Sequence, residues 1–337
     1  MMTLIRQLLI VSLMIFLCGG NSFAGSLPVS PYNIQKYIKA GNSLDLRPIW
    51  RELGIPAELS TVYPRMGIEP DEPAIFDKCD DCRAEIHPLT WRNRKDKRVA
   101  LKIYQPWGFC RFLIFRPLQS SKADKTKWQF IGYADHDFAR YDMPEHRTEM
   151  LGNGAYFVMT AQGLSGTGVS LQYERWYELS SGGVKEVLSL PVRGHECPGP
   201  TTLCRNFSMR VEKAKSNNRS VRILCKVQYT GYRFLLDGQS FEDIYLFATR
   251  KKAVYVRDKA GNDFTLSPVE SEMTAEEIRL TYSISGLTCE DFLRFNSTPL
   301  RRLTAQPDDS RKSWLKRYFQ ECELSTDGKN LMEGPTK

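Results

Sequence analysis

The stretch Val221-Arg222-Ile223-Leu224-Cys225-Lys226-Val227-Gln228-Tyr229 decides how this chain folds. Val221, Ile223, Cys225, Val227 and Tyr229 alternate with Arg222, Leu224, Lys226 and Gln228, the period of two that sends one side of a strand into a core and the other into water. Upstream, Phe207, Met209 and Val211 alternate with Ser208, Arg210 and Glu212, and the turn-forming Ser216-Asn217-Asn218 lies between the two runs. Together they predict an antiparallel hairpin. A second hairpin is expected where Val169, Leu171, Tyr173, Tyr177 and Leu179 share a face, Ser180-Ser181-Gly182-Gly183 turns the chain, and residues 184–192 return. Further strands are expected at 99–105, 109–115, 127–133, 156–160, 244–249 and 254–257. Connections this tight point to a meander rather than to βαβ units. The expected class is therefore α+β, mainly antiparallel β: a meander-type sandwich or open barrel flanked by N- and C-terminal helices and stapled by disulfides.

The helical period appears only at the two ends. Ser30 caps a run with Pro31 in its first turn and an Ile34, Tyr37, Ile38 stripe, and Pro48 opens a shorter helix presenting Ile49, Trp50 and Leu53. Near the other end, Thr274-Ala275-Glu276-Glu277 has capping-box spacing, and Thr288 precedes a helix carrying Cys289, Phe292 and Leu293. A last helix, started by Asp308 or Asp309, presents Trp314, Leu315, Tyr318, Phe319 and Cys322.

The first residues have the layout of an export signal. Arg6 precedes the apolar run Leu8 to Leu17, and Ser22-Phe23-Ala24 offers small residues for cleavage after Ala24. The run is too short for a comfortable bilayer span, and Leu17 is too bulky to precede a lipidated Cys18. Five segments follow from this reading: a leader over 1–24, a helical segment with an acidic loop over 25–83, an antiparallel β domain over 84–266, a helical segment over 267–324, and a disordered tail over 325–337. Loss of the leader takes the formal charge from +8 to +7 and leaves eight cysteines. An even number in an exported chain reads as a disulfide framework. The proposed pairs are Cys289 with Cys322, Cys197 with Cys204 around a stiff Pro-Gly-Pro loop, Cys110 with Cys225 from two inward strand faces, and Cys79 with Cys82.

Three constellations could carry chemistry. The segment from Asp135 to His146 holds His136, His146, Asp135 and Asp137, ligand types that bind a divalent metal and activate water. Cys79-Asp80-Asp81-Cys82 has the spacing of a thiol–disulfide redox pair, although its aspartates oppose thiolate formation. The same two cysteines with Cys197, Cys204 and His195 have zinc-ligand types. Gly163-Leu164-Ser165-Gly166-Thr167-Gly168 lacks the contexts of a nucleophile elbow and of a phosphate loop. It offers Ser165 and Thr167 to an anion or a sugar, and Trp176, placed opposite Leu171 and Tyr173, offers a ring for stacking on a sugar.

The composition, 42% hydrophobic and 26% charged, excludes wholesale disorder, and no apolar stretch beyond the leader reaches spanning length, which excludes a multi-pass membrane protein. The expected function is an exported, non-catalytic binding or envelope-interaction protein. Its partner is an envelope component, a glycan or another exported protein rather than nucleic acid, with no cofactor specified. A metal-assisted hydrolase using the Asp135–His146 segment is the alternative, and an oxidoreductase at Cys79 and Cys82 the third reading.

Overall fold

The computed structural model describes residues 30–40, 43–45, 47–55, 61–62, 74–75, 78–80, 82–90, 97–104, 110–118, 127–136, 144–151, 154–166, 168–180, 182–197, 203–212, 220–234, 241–257, 263–282, 287–306 and 310–322. The expected leader and tail lie outside them. The described residues open with α1 (Pro31–Lys39), β1 (Ser43–Asp45), α2 (Arg47–Glu52), β2 (Thr61–Val62), β3 (Ala74–Ile75) and β4 (Lys78–Asp80). Twelve strands follow. β5 (Arg83–Pro88), β6 (Val99–Tyr104), β7 (Cys110–Leu118) and β8 (Lys127–His136) form one antiparallel sheet. β9 (Glu145–Leu151), β10 (Gly154–Gly166), β11 (Val169–Ser180), β12 (Gly183–Glu196), β13 (Leu203–Glu212), β14 (Ser220–Phe234), β15 (Phe241–Arg257) and β16 (Phe264–Leu266) form another. The described residues then close with α3 (Ala275–Thr281), α4 (Cys289–Thr304) and α5 (Ser310–Glu321).

Within each of these two sheets every strand pairs with its sequence neighbours, so both are meanders. The two expected hairpins are present: Met209 faces Cys225 across β13 and β14, and Leu179 faces Val184 across β11 and β12. β12 runs past its apolar stretch to Glu196, through Gly194, a residue that ordinarily weakens a strand. The Phe207 ring on β13 fills the space a side chain would take, since a Cβ on Gly194 would lie 2.1 Å from it.

Three cores separate four layers. Ile34, Ile38, Ile49 and Leu53 from the N-terminal helical segment pack on Leu101, Ile103, Leu113 and Phe115 of the small sheet. The other face of that sheet, with Ala100, Phe112 and Ile114, covers Ala155, Phe157, Met159, Tyr177 and Leu179 of β10 and β11. On the opposite side of the large sheet, Val158, Leu190, Phe207, Val227 and Tyr229 meet Phe292, Leu300, Trp314, Leu315 and Phe319 of the C-terminal helices. Phe292, Leu300 and Leu315 are completely buried there, each side chain contributing roughly 1.5–3 kcal/mol.

The large sheet curls around those helices. Arg257 on β15 donates to both carboxylate oxygens of Glu178 on β11, at 2.7 and 2.6 Å, and to the Tyr156 hydroxyl on β10 at 3.2 Å. Strands so far apart in the sheet order reach each other only across a concave face. The curl stops short of closure, because β9 and β16 are the two ends of the sheet order. The architecture is thus a pair of open antiparallel sheets with helices on both outer sides.

Thr274 and Thr288 cap α3 and α4 as expected, their hydroxyls accepting from the Glu277 and Asp291 N–H groups. Pro299 inside α4 has no N–H to give the Phe295 carbonyl, and the helix departs from helical geometry at Asn296. The Lys251 ammonium on β15 donates to that carbonyl at 2.9 Å and also pairs with Glu277 of α3, so one half-buried cation ties two helices to the sheet. Cys289–Cys322 joins the start of α4 to the residue after α5, and Cys197–Cys204 closes its short loop. Cys82 is also disulfide-bonded, to a residue outside the described side chains. The Cys110–Cys225 pairing is corrected: both are free and buried, Cys110 between the two sheets and Cys225 under the C-terminal helices. The large sheet stands between them.

Candidate functional site

The small sheet covers the convex side of the large sheet over β10, the Tyr177–Leu179 end of β11 and the Val184 end of β12, and leaves open the stretch from the Gln172 end of β11 to β15. Across that stretch Gln172, Arg193, Ser208, Lys226 and Arg250 are successive register partners on β11 to β15. Arg193, Ser208, Lys226 and Arg250 are all exposed. With strands about 4.8 Å apart, Lys226 and Arg250 are nearest neighbours, and Arg193 stands about 10 Å from Lys226. Beside this row, Arg210 faces Leu224, which faces Lys252, and the next row sets Glu212 against Arg222. Glu212 is the one carboxylate in these rows. Among the described residues, no carboxylate pairs with Arg193, Arg210, Lys226 or Arg250.

The core fixes this arrangement. Phe207, Met209, Ile223, Cys225 and Val227 are buried beneath it, and a one-residue slip would turn all of them outward and the cations inward. Like charges directly opposite one another oppose folding, so the row is not what stability alone would select. On its other flank runs a neutral row, Ser170, His195, Asn206, Gln228 and Ala248. His195 Nδ1 donates to Asn206 Oδ1 at 2.6 Å, which leaves the Asn206 amide N–H groups and the second imidazole nitrogen for other partners. Chemically, the face offers fixed cations to repeated anions and amide and hydroxyl groups beside them.

A second polar cluster lies at the seam between the two sheets. The His87 ring on β5 meets the His146 ring on β9 edge-on at 4.6 Å, and His146 also stacks on Phe157 and touches Phe112. Burial pushes the His146 pKa down to about 4 and lowers that of His87. Both rings are therefore neutral at pH 7, and the 3.4 Å approach of His87 to Glu85 is not an ion pair there. The Tyr104 hydroxyl donates to Glu85 at 2.8 Å and holds its carboxyl below the usual range. Burial raises the Cys110 thiol to about 12, so it is unionised and poorly nucleophilic.

The expected site residues are scattered. His146 is at the seam. Asp135 and His136 end β8 opposite Arg111 and Cys110, and their side chains, like all of Asp137, fall outside the described residues. Among the described residues no group of three or more metal-ligand side chains occurs. Ser165 lies on β10, which continues as a strand to Gly166 rather than ending in a loop at residue 160. It is six residues beyond Met159, the register partner of His146, and so about 20 Å away along the strand. Thr167 is outside the described residues. Cys79 sits on β4 opposite Leu44, its side chain undescribed. Cys197 and Cys204 are joined to each other and supply no thiolates to zinc.

Trp176 is corrected. It is 1% exposed in the concave core, and its indole N–H donates to Glu174 at 3.2 Å, so no ring face is open to a sugar. Conversely, alternation displayed Arg210, Arg222 and Lys226 as polar positions, but it could not align them with Arg193 and Arg250. The available signal was that three of the four charged residues at these alternating positions, Arg210, Arg222 and Lys226, are cations, Glu212 being the exception.

Comparison of the chain with protein-family models, with curated proteins and with solved structures returned no match.

Proposed function

We propose that the chain is an exported, non-catalytic binding protein whose partner is a polyanionic component of the cell envelope, held on the open face of β12 to β15. The observation that carries this reading is the exposed Arg193–Ser208–Lys226–Arg250 row, a line of cations kept in register by the core although it opposes folding. The disulfides at Cys197–Cys204 and Cys289–Cys322 are compatible with an oxidising compartment. The leader-like N-terminus read from the sequence supports the same location.

Inorganic polyphosphate and phosphatidylglycerol vesicles test the reading. The protein is expected to bind at least one of them at low salt, with affinity falling as salt rises. The combined variant Arg193→Ser, Lys226→Ser, Arg250→Ser should lose about tenfold or more in affinity and most of the salt dependence. Binding that the triple variant leaves unchanged, or no binding to either polyanion, would overturn the proposal.

A further inference from the structure

We infer that the polyanion is an acidic polysaccharide lying across the strands, its charged edge on the cationic row and its hydroxyl edge on the neutral row. The inference rests on the polyanion reading above and adds what the second row contributes.

The two rows run side by side from β11 to β15, two residues apart along each strand: Arg193 with His195, Ser208 with Asn206, Lys226 with Gln228, and Arg250 with Ala248. Two residues of strand are about 7 Å, and the four steps from β11 to β15 about 19 Å, which makes a strip rather than a broad field. One edge of the strip is charged. The other is made of groups that donate and accept neutral hydrogen bonds, with Asn206 oriented by His195. A linear polymer with anions on one side and hydroxyls on the other matches that division. Polyphosphate would use only the cationic edge.

A bilayer is matched less well. Surface-bound membrane proteins bury apolar or aromatic side chains below the headgroups, and within these rows the apolar residues are Leu224, Val254 and Ala248, of which Leu224 is half-buried and Val254 buried. No side chain of the strip itself is placed to enter an acyl layer, and beyond its neutral edge the exposed Tyr245, paired with Thr230, is a single ring rather than an apolar patch. The polar side chains of Ser170, Gln172 and Gln228 are themselves half-buried, so they are held more firmly than free surface groups.

The test compares oligogalacturonate, polyphosphate and phosphatidylglycerol vesicles on the full-length mature protein. Oligogalacturonate is expected to bind the wild type. The cationic triple variant should weaken that binding by about tenfold or more, and Asn206→Ala with Gln228→Ala by about three- to tenfold. The amide variant should bind polyphosphate as the wild type does. Circular dichroism and the unfolding midpoint confirm that both variants, whose substituted groups lie on the sheet surface, remain folded. If the amide variant binds oligogalacturonate unchanged, or if vesicles or polyphosphate bind and oligogalacturonate does not, the polysaccharide assignment falls while the polyanion reading stands. If no polyanion binds, both fall.

Discussion

Lys226 on β14 and Arg250 on β15 stand directly opposite each other, both exposed and both without a carboxylate partner among the described residues. Replacing Lys226 by Glu turns a repulsive cross-strand pair into an attractive one. Lys226→Glu is expected to raise the thermal unfolding midpoint by about 1–3 °C and to weaken polyanion binding. Calorimetry and a binding titration on the same preparation check both effects. A lowered midpoint would show that repulsion across this pair is not being relieved.

Acid should weaken the seam between the sheets. The pKa of His146 is about 4 in the folded chain against an ordinary value of 6.5, and His87 is shifted the same way. The unfolded chain therefore binds more protons than the folded one through this window, and stability rises with pH. The stabilisation is complete above about pH 6.5 and is lost as pH falls toward 4. Lys102 opposes protonation of both rings, and Glu85 favours it at His87. The midpoint is expected to drop between pH 7 and pH 5, and His146→Phe, which fits beside Phe112 and Phe157, should make the drop shallower. Equal slopes would place the titration elsewhere.

The disulfides Cys289–Cys322 and Cys197–Cys204 should differ in weight. Cys289–Cys322 closes a span of 33 residues and Cys197–Cys204 one of 7. On loop-closure entropy the first contributes about 4 kcal/mol and the second about 2.5 kcal/mol. Urea unfolding of the paired Cys→Ser variants is expected to rank them in that order. A larger loss from the short loop would show that native contacts of that loop dominate.

Gly231 on β14 is the seat of Trp314. A Cβ there would lie 2.3 Å from the indole ring, whose N–H donates to the Tyr232 carbonyl at 2.8 Å. Gly231→Ala should displace α5 and cost roughly 1–3 kcal/mol, the usual range for overpacking a core. Denaturant unfolding gives the cost, and a shift in tryptophan emission reports the displacement. Unchanged stability and emission would show that the ring moves aside freely.

Much of the fold was legible because burial on one side imposes a strict period. The β13–β14 hairpin follows directly from Phe207–Val211 and Val221–Tyr229, and the caps at Thr274 and Thr288 from their spacing. Trp176 was misread for a local reason. A register shift between Gln172 and Tyr173, where β12 carries the extra Val192, falls between Leu171 and Trp176, and both side chains reach the same concave core. Cys110 and Cys225 were both correctly inward, but one chain with three cores has more than one inside. The candidate site was the least legible part. Arg193 follows the unpaired Val192 at a register shift, and Arg250 sits beyond another in the β14–β15 pair. No local pattern states that such residues share a row, because register between strands is a property of the assembled sheet.

The strictly sequential strand order sets a timetable for making the protein. Each of β10 to β16 can add to a strand already synthesised, so the large sheet grows without waiting for distant chain. Its concave side has no such neighbour. Val158, Leu190, Phe207, Val227 and Tyr229 stay uncovered until Phe292, Leu300, Trp314, Leu315 and Phe319 emerge near the end of the chain. A chain truncated before residue 287 would keep its strands and expose that apolar trough, leaving a ready target for chaperones and proteases.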